Sequence, residues 1–455
     1  MHSAVNTRMR PKKGADLSGA RRDGPDAVAC TAGAGRLPLH GTPAPDFLAD
    51  SGVERFLVRA TAIADVLQDK AVDRLGGGIT WQAAPGHDMK CAPSVGPHIY
   101  DGVLGIALFL AAHDHACRNG DHRDLVLRAI GPLRRTLREL VYDKERAQRL
   151  RMQVGGFVGL GGFVYAFVRV GEWLRERVLI EEAHDLTLLF TRERIEADNR
   201  LDVVDGCAGA LLALLALDAA APQANADGVT PLELACTCAH HLMERRRSHE
   251  GRPQAWAAPG KPPLGGFAHG ASGIGYALLQ LFARTGDEAL RVAAREGAAF
   301  ERSLFDPTTN NWLDLRTGRP LEQSAWCHGA PGIALARLGA PAIYECGLKE
   351  LQGLLQITRS IPETPLDHLC CGNLGRVDIL LCAGQTLGDR TFVDDALAQA
   401  DRAVCRAEQA GEFAVIRPGE AVGLRPGFFH GLSGVGYALL RLASQGTLPC
   451  TLRLE

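Results

Sequence analysis

The amino-acid sequence predicts an all-α fold, an α/α toroid in which a double ring contains seven inner and seven outer helices. Two observations lead to this prediction. A glycine followed three residues later by a second glycine opens an apolar segment seven times, and such a recurrence indicates an internal structural repeat. Amphipathic stretches lie between these segments, and we find no run of alternating polar and apolar residues that would favour a competing sheet.

The seven glycine pairs mark where the inner helices are predicted to begin. They are Gly102/Gly105, Gly159/Gly162, Gly206/Gly209, Gly270/Gly273, Gly329/Gly332, Gly372/Gly375 and Gly431/Gly434. The segments that follow are apolar on nearly all sides, which is typical of buried helices. Glycine allows backbones to approach closely and adopts dihedral angles closed to other residues. We expect both properties to be used where the inner helices converge.

The stretches between the glycine pairs predict the outer helices. Their apolar residues recur at helical spacing and their other faces are polar. The clearest examples span residues 53–72, 122–140, 181–195, 231–247 and 391–409. Buried helices that alternate with amphipathic ones predict one ring inside another.

Composition limits the classes of function. The formal net charge of -2 and the aromatic content of 6% argue against nucleic-acid binding, which calls for a basic face and often for stacking platforms. No segment supplies the roughly 18 consecutive apolar residues of a membrane span. Residues 1–48 are predicted to be a disordered or poorly ordered segment, and residues 49–455 a single toroidal domain. Thirteen cysteines without a secretory signal favour reduced thiols in the cytoplasm.

Reactive side chains recur just before the first glycine of six of the seven pairs. They are Tyr100, Asp101, Asp202, Asp205, His269, Cys327, His328, Cys370, Cys371 and His430. Converging helix N-termini direct free N–H groups and positive dipole ends to one face, so these residues are expected to line a shared pocket. Tyr100 and Asp101 are interpreted as packing and capping residues, and Asp205 as the cap of its helix. His328 and His430 are interpreted as structural, with a substrate-facing role left open.

Cys327, Cys370 and Cys371 form a candidate zinc site. Three thiols that meet at one point leave a fourth coordination position open, as in catalytic zinc sites that bind water or substrate there. Buried thiols that act as small hydrophobic side chains are the alternative.

A second group of cysteines and histidines lies on one predicted outer helix. It comprises Cys236, Cys238, His240 and His241. Because residues two apart on a helix point to different faces, we do not expect this group to bind a metal.

The glycine motifs and their flanking residues resemble the lanthionine cyclase family, the LanC proteins, and most closely the C-terminal cyclase domain of LanM lanthipeptide synthetases. The matching segments are IYDGVLGIALFLA, DVVDGCAGA, GGFAHGASGIGYAL, NNWLDLR, SAWCHGAPGIALARLG, LCCGNLGRVDILL and GFFHGLSGVGYALLRLA. They occur in the family's order over roughly residues 50–455. The resemblance implies an α/α toroid with one zinc ion at its mouth and a cytoplasmic enzyme that modifies peptides.

The resemblance also implies roles for individual residues. Cys327, Cys370 and Cys371 fall on the zinc ligands, and the second cysteine of the pair resembles the CCG subgroup of LanM enzymes with all-thiolate ligation. His269 falls on the histidine implicated in proton transfer, and Asp202 falls on an aspartate that would orient it. For His269 the alternative is a helix-start histidine bonded to backbone, and for Asp202 it is a helix cap.

The implied reaction adds peptide cysteine thiolates to dehydroalanine or dehydrobutyrine and forms thioether rings in a lanthipeptide precursor. The partners would be the dehydrated precursor peptide, a separate dehydratase and an export transporter, because the fifty or so residues before the cyclase region are too few for a dehydratase domain. A stand-alone cyclase and a truncated LanM both remain open. The alternatives are a LanC-like enzyme that adds glutathione and a non-catalytic peptide-binding scaffold. A glycosidase on the same fold would need paired carboxylates across the pocket.

One position departs from the family pattern. LanC proteins tend to carry Arg-Asp shortly before the Trp-Cys motif, whereas Gln323 stands where the arginine would be. If that arginine steadies the enolate that forms during addition, this chain must stabilise the enolate with another group.

Overall fold

The computed structural model describes residues 52–74, 76–83, 94–150, 152–340, 348–417, 419–420 and 422–455. The prediction of disorder over residues 1–48 lies outside these ranges. The described helices, in chain order, are α1 (Gly52–Asp69), α2 (Val103–Cys117), α3 (Arg123–Tyr142), α4 (Lys144–Arg149), α5 (Leu160–Leu174), α6 (Arg177–Asp185), α7 (Arg192–Glu196), α8 (Cys207–Ala220), α9 (Pro231–Glu244), α10 (Ala271–Thr285), α11 (Glu288–Arg302), α12 (Ala330–Leu338), α13 (Leu348–Ser360), α14 (Asn373–Leu387), α15 (Arg390–Ala410) and α16 (Leu432–Ala443). Two short 3-10 helices span Leu186–Leu189 and Thr451–Arg453.

The glycine-led helices form a closed inner ring. Helices α2, α5, α8, α10, α12, α14 and α16 each pack against the next, and α16 packs against α2. Helices α3, α6, α9, α11, α13 and α15 each pack on the inner helix that precedes them, while α1 packs on α16. The first described helix thus supplies the outer partner of the last inner helix. The predicted α/α toroid with seven inner and seven outer helices is confirmed over the described residues.

The glycines matter mainly because they leave space. A Cβ on Gly209 would lie 1.9 Å from the Val203 carbonyl oxygen and 2.4 Å from the Gly156 amide nitrogen. The first glycines before α2, α8, α10, α14 and α16 have negative φ angles that other residues also adopt. Gly159 at +151° and Gly329 at +88° are the two first glycines that need a positive φ. The expectation about unusual dihedral angles therefore holds only at these two positions.

Backbone hydrogen bonds join the turns before neighbouring inner helices. The Phe157 carbonyl accepts from Ile99, the Val203 carbonyl accepts from Gly156, and the Trp326 carbonyl accepts from Phe267, at 3.1–3.3 Å. The Tyr100 carbonyl accepts from Phe429 at 2.8 Å, which joins the last repeat to the first. These bonds hold the turns in one layer at the mouth of the ring.

An aromatic floor lies directly beneath that layer. It consists of Phe157, Phe267, Trp326 and Phe429, whose rings contact one another with centroids 4.6–6.1 Å apart. All four side chains are buried. Close-packed rings of this kind resist rearrangement, so the residues that follow them at the helix starts have a rigid support.

Short antiparallel strands interrupt the helical pattern and were not predicted. They are β1 (Val72–Asp73), β2 (Ile79–Thr80), β3 (Phe305–Asp306), β4 (Asn311–Asp314) and β5 (Arg319–Pro320). Strand β1 pairs with β2, and β3, β4 and β5 form a three-stranded sheet in that order. Strands of two to four residues are too short to show an alternating pattern. The three-stranded sheet lies between α11 and α12 in the chain and carries Asp314 to the site.

Candidate active site

The three predicted zinc ligands come together at the mouth of the ring. Cys327 precedes α12 and Cys370 and Cys371 precede α14, and these two inner helices are neighbours. Cys370 interacts with both Cys327 and Cys371 through side-chain hydrogen bonds. The Tyr100 hydroxyl donates a further hydrogen bond to Cys370 Sγ at 3.1 Å. The sequence motifs, 43 residues apart in the chain, therefore meet as one thiol cluster.

The hydrogen bonds within the cluster shift the pKa values of the three thiols in different directions. Hydrogen bonds to Cys327 and Cys371, together with burial, raise the pKa of Cys370. The hydrogen bond from Cys370 lowers the pKa of Cys327 and of Cys371. Thiolates are the ligands that zinc binds well in proteins, so the donor set fits the metal that the sequence predicts.

Cys371 also belongs to a second group of possible metal ligands. One ligand atom from each of His368, Cys371 and His430 lies within 4.8 Å of the other two. His368 Nε2 is 3.9 Å from Cys371 Sγ, and the two imidazoles meet edge to face with centroids 4.9 Å apart. His368 was not predicted to belong to the site, although its position three residues before Cys371 is a spacing that suits a second metal ligand.

Asp101 holds His430 in place. His430 Nδ1 lies 3.2 Å from Asp101 Oδ2, and the His430 amide donates to Asp101 Oδ1 at 3.2 Å. Burial lowers the pKa of His430, but hydrogen bonds with Asp101 and Cys371 outweigh burial and raise it to about 9. Asp101 was interpreted as a cap and His430 as structural. The structure instead places this pair beside Cys371.

His269 and Asp202 form a matching pair on the other side of the cluster. His269 Nδ1 lies 2.8 Å from Asp202 Oδ2. Burial lowers the pKa of His269, but the hydrogen bond and charge of Asp202 more than offset it, so the pKa is raised. The negative charges of Asp205 and Cys327 contribute in the same direction, and the ring lies 6.1 Å from that of His328.

Asp202 orients His269. Asp205 was predicted to cap α8, but the structure assigns the cap to another aspartate. Asp202 Oδ1 accepts from the Asp205 amide at 2.8 Å. The amide of Cys207, the first residue of α8, donates to Asp198 Oδ2 at 2.8 Å. The carboxylate of Asp198 therefore takes the capping role, because the loop turns back far enough for a residue nine positions earlier to reach the helix start.

Polar side chains from three loops surround the thiols. Gln323 Nε2 donates to the Cys371 carbonyl at 2.7 Å, so the residue in the family's arginine position binds backbone. A guanidinium nitrogen of Arg417 lies 3.9 Å from Cys371 Sγ. Arg316 pairs with Asp314 and lies 3.5 Å from His328 Nε2. Burial and the charge of Arg316 lower the pKa of His328 to about 4.

The cysteine and histidine group on α9 divides between two faces. Cys238 and His241 are buried, whereas His240 is exposed beside Glu244. His241 meets Asp198 and Cys207 within 4.8 Å, but its Nε2 already binds the Asp198 carbonyl at 2.8 Å. This network holds α7, α8 and α9 together.

Comparison with known proteins identifies the family. Residues 93–453 match the family model described as lanthionine synthetase C-like protein. The chain belongs to the lanthionine synthetase C-like family. No curated protein matches the chain.

The toroid of this LanC-like chain is similar to that of nisin cyclase. The two share 16% sequence identity over 87% of this chain and 98% of the nisin cyclase chain, with a TM-score of 0.56. An unsaturated glucuronyl hydrolase specific for heparin aligns at 13% identity over 79% of this chain and 97% of its own, with a TM-score of 0.40. A family 76 glycoside hydrolase from a bovine Bacteroides thetaiotaomicron strain aligns at 11% identity over 88% of this chain and 78% of its own, with a TM-score of 0.37.

The described helices of the LanC-like chain include none long and apolar enough to span a membrane. The longest, α15, carries charged residues throughout its 21-residue length.

Proposed function

We propose that this LanC-like protein is a zinc-dependent lanthionine cyclase. It adds peptide cysteine thiolates to dehydroalanine or dehydrobutyrine and forms thioether rings in a lanthipeptide precursor. The observation that carries the proposal is the cluster of Cys327, Cys370 and Cys371 beside the His269–Asp202 pair. A thiol-binding centre and a proton donor at one mouth are the two groups that this addition requires.

Cys327, Cys370 and Cys371 would hold the zinc. When bound, zinc lowers the pKa of a coordinated substrate thiol enough to deprotonate it, whereas a free thiol near pKa 8.5 is mostly protonated at neutral pH. An all-thiolate set of this kind resembles the CCG subgroup of LanM enzymes, and its negative charge favours a nucleophilic substrate sulfur.

His269 would supply the proton that completes the addition. Attack of the substrate thiolate on the β-carbon leaves an enolate, and His269 protonates its α-carbon as a general acid. The hydrogen bond and the negative charge of Asp202 raise the pKa of His269 and so favour its imidazolium form. Asp202 fixes the ring orientation through Nδ1, so Nε2 carries the transferable proton. The guanidinium groups of Arg316 and Arg417 supply positive charge near the site in place of the family arginine.

The proposed setting is a cytoplasmic biosynthetic pathway. The substrate would be a precursor peptide already dehydrated by a separate dehydratase, and an export transporter would act on the product. The protein would work as a stand-alone cyclase or as the cyclase part of a LanM-type synthetase.

The test is incubation of the zinc-loaded protein with a dehydrated precursor peptide that contains free cysteines. We expect the free thiols to disappear without a change in peptide mass, since the addition is intramolecular. His269→Ala and Cys371→Ala are expected to lose most of the activity, while His240→Ala, on the exposed face of α9, retains it. Thiols that persist at the rate of an enzyme-free control would refute the proposal.

The same assay separates the alternatives. A glutathione-adding enzyme would increase the peptide mass by one glutathione for each dehydrated residue when glutathione is present. A scaffold would bind the peptide without changing its thiols and would carry no zinc after purification.

A further inference from the structure

We propose that His430 is a fourth protein ligand of the zinc in the resting site and that the substrate thiol displaces it. The inference rests on the proposed zinc site of Cys327, Cys370 and Cys371 and concerns a residue outside that set. Its basis is the contact of His430 with Cys371 on one side and with Asp101 on the other.

The first step is the orientation of the imidazole. Asp101 binds His430 twice, through Nδ1 at 3.2 Å and through the backbone amide at 3.2 Å. Because Nδ1 is engaged by a carboxylate, Nε2 is the nitrogen left to bind a metal. Metal-ligating histidines commonly donate their other ring N–H to a carboxylate, which fixes the tautomer and increases ligand basicity. Asp101 and His430 have this arrangement.

The second step is position. A ring nitrogen of His430 lies within 4.8 Å of Cys371 Sγ. Two ligands of one tetrahedral zinc, at about 2.3 Å for sulfur and 2.0–2.1 Å for nitrogen, are separated by roughly 3.6 Å. The His430 nitrogen is therefore at most about 1.2 Å farther from Cys371 Sγ than two ligands of one zinc ion would be. Turns joined by backbone hydrogen bonds hold both residues, since the Cys370 amide donates to the Phe429 carbonyl at 3.0 Å.

The third step excludes the neighbouring histidine. His368 is also close to Cys371, at 3.9 Å from Nε2 to Sγ. Its Nδ1 is buried without a hydrogen-bond partner, so no carboxylate fixes its tautomer. The His368 ring packs edge to face against the His430 ring.

The fourth step is access. The side chain of His430 is 38% exposed, whereas Cys370 and Cys371 are buried. His430 is therefore more accessible to an incoming thiol than Cys370 and Cys371 are. A resting site with four protein ligands is closed, like structural zinc sites, and departure of the imidazole creates the open position of a catalytic site. In the proposed exchange, one zinc–nitrogen bond would be replaced by one zinc–sulfur bond, and the substrate thiol would give its proton to the departing imidazole.

X-ray absorption at the zinc edge tests the ligand directly, because imidazole gives a characteristic outer-shell scattering pattern. We expect sulfur ligands and one imidazole in the unmodified protein, and loss of the imidazole in His430→Ala. Asp101→Asn should keep the imidazole but weaken zinc binding by about tenfold to a hundredfold, as loss of an outer-shell partner does. His368→Ala and His240→Ala are matched controls that should retain the pattern of the unmodified protein.

The displacement is tested with N-acetylcysteine amide as a simple thiol. Saturating thiol should add one sulfur and remove the imidazole in the unmodified protein, and add the sulfur at a lower thiol concentration in His430→Ala. Three results would overturn the proposal and leave the cyclase function possible. They are no imidazole scattering in the unmodified protein, imidazole scattering that persists in His430→Ala, and imidazole scattering that disappears in His368→Ala. An imidazole retained at saturating thiol overturns the displacement. A protein that binds no zinc overturns both this inference and the proposed function.

Discussion

At the scale of single residues, Cys371 connects the parts of the candidate site. Its side chain forms a hydrogen bond with Cys370 and lies close to His368 and His430. Its carbonyl accepts a hydrogen bond from Gln323. The sequence identified Cys371 as a ligand by its place before Gly372. Of its two histidine neighbours, His368 lies in the same turn and His430 comes from another, so the contact of His430 with Cys371 depends on how the turns are arranged.

Asp202→Asn is expected to lower the pKa of His269, because the substitution removes both a hydrogen bond and a negative charge that favour the imidazolium. A group with a raised pKa stabilises the fold fully below its unfolded pKa, and this stabilisation is lost as the pH rises through the folded pKa. Because cyclisation needs the protonated imidazole of His269, the alkaline limit of the activity should also move to lower pH in Asp202→Asn. NMR titration of the His269 ring proton measures the pKa, and Asp205→Asn should lower it less. An unchanged pKa would contradict the assigned pairing.

Tyr100→Phe is expected to weaken zinc binding by about tenfold, because it removes the hydrogen bond to Cys370 Sγ, and outer-shell partners of metal ligands contribute at this level. The ring would still stack on Phe429, 4.7 Å away, so thermal stability should change little. Competition with a chromophoric chelator measures the affinity. Equal affinities in the two proteins would show that the hydroxyl does not influence the ligand.

At the scale of elements, each inner helix depends on glycines that allow its first turn to contact its neighbours. Gly209 in α8 contacts the backbone of Val203 and Gly156, so the helix start is packed against two other turns. The outer helices rely on polar caps instead, such as the capping box in which Thr230 and Glu233 begin α9. The two rings therefore use different local signals for helix initiation.

Gly209→Ala is expected to destabilise the protein by about 1–3 kcal/mol, since overpacking against fixed backbone has that cost. Gly353→Ala is the matched control, because a Cβ on Gly353 in the outer helix α13 meets no atom within 4 Å. Alanine there should stabilise the protein by about 0.5–1 kcal/mol through helix propensity. Urea unfolding of both variants measures the difference. Similar midpoints would argue against a spatial role for Gly209.

At the scale of the whole molecule, the two ends of the described chain complete the toroid. Helix α1 packs on α16 and forms ion pairs with α15, in which Arg55 and Arg59 bind Glu408. The C-terminal residues lie among the inner helices. The Leu452 carbonyl accepts from Trp326 Nε1 at 3.3 Å, and the Glu455 carbonyl accepts from the Tyr165 hydroxyl at 2.9 Å. The aromatic floor of the site is therefore supported by the end of the chain.

Leu452→Ala is expected to lower the free energy of unfolding by about 2–5 kcal/mol, the usual result of emptying a packed core position, because Leu452 is fully buried. Leu150→Ala is the control, since Leu150 is 42% exposed and surface changes are usually within about 0.5 kcal/mol. Thermal unfolding followed by circular dichroism compares them. If Leu452→Ala also reduces zinc binding, the support of the site from below is demonstrated; equal stability of the two variants would contradict the packing described.

The sequence by itself determined the repeat, the ring of helices and the place of the three cysteines. These features are local: a glycine pair, an apolar face and a residue at a set offset from a helix start can each be recognised within one repeat. The repeats then impose the toroid, because each apolar helix must be buried between its neighbours. The resemblance to the lanthionine cyclase family indicated Asp202 as the partner of His269, and the structure places His269 Nδ1 2.8 Å from Asp202 Oδ2.

Tertiary structure alone decided which side chains surround the cysteines. Asp101 meets His430 across 329 residues of sequence, and Tyr100 meets Cys370 across 270. These contacts depend on which turns meet when the ring closes, and the pattern within one repeat does not specify the side chains that they bring together. The short sheet that carries Asp314, and the cap that Asp198 supplies, likewise depend on the path of loops. Helix periodicity is a property of adjacent residues, whereas the composition of the site depends on which turns meet when the ring closes.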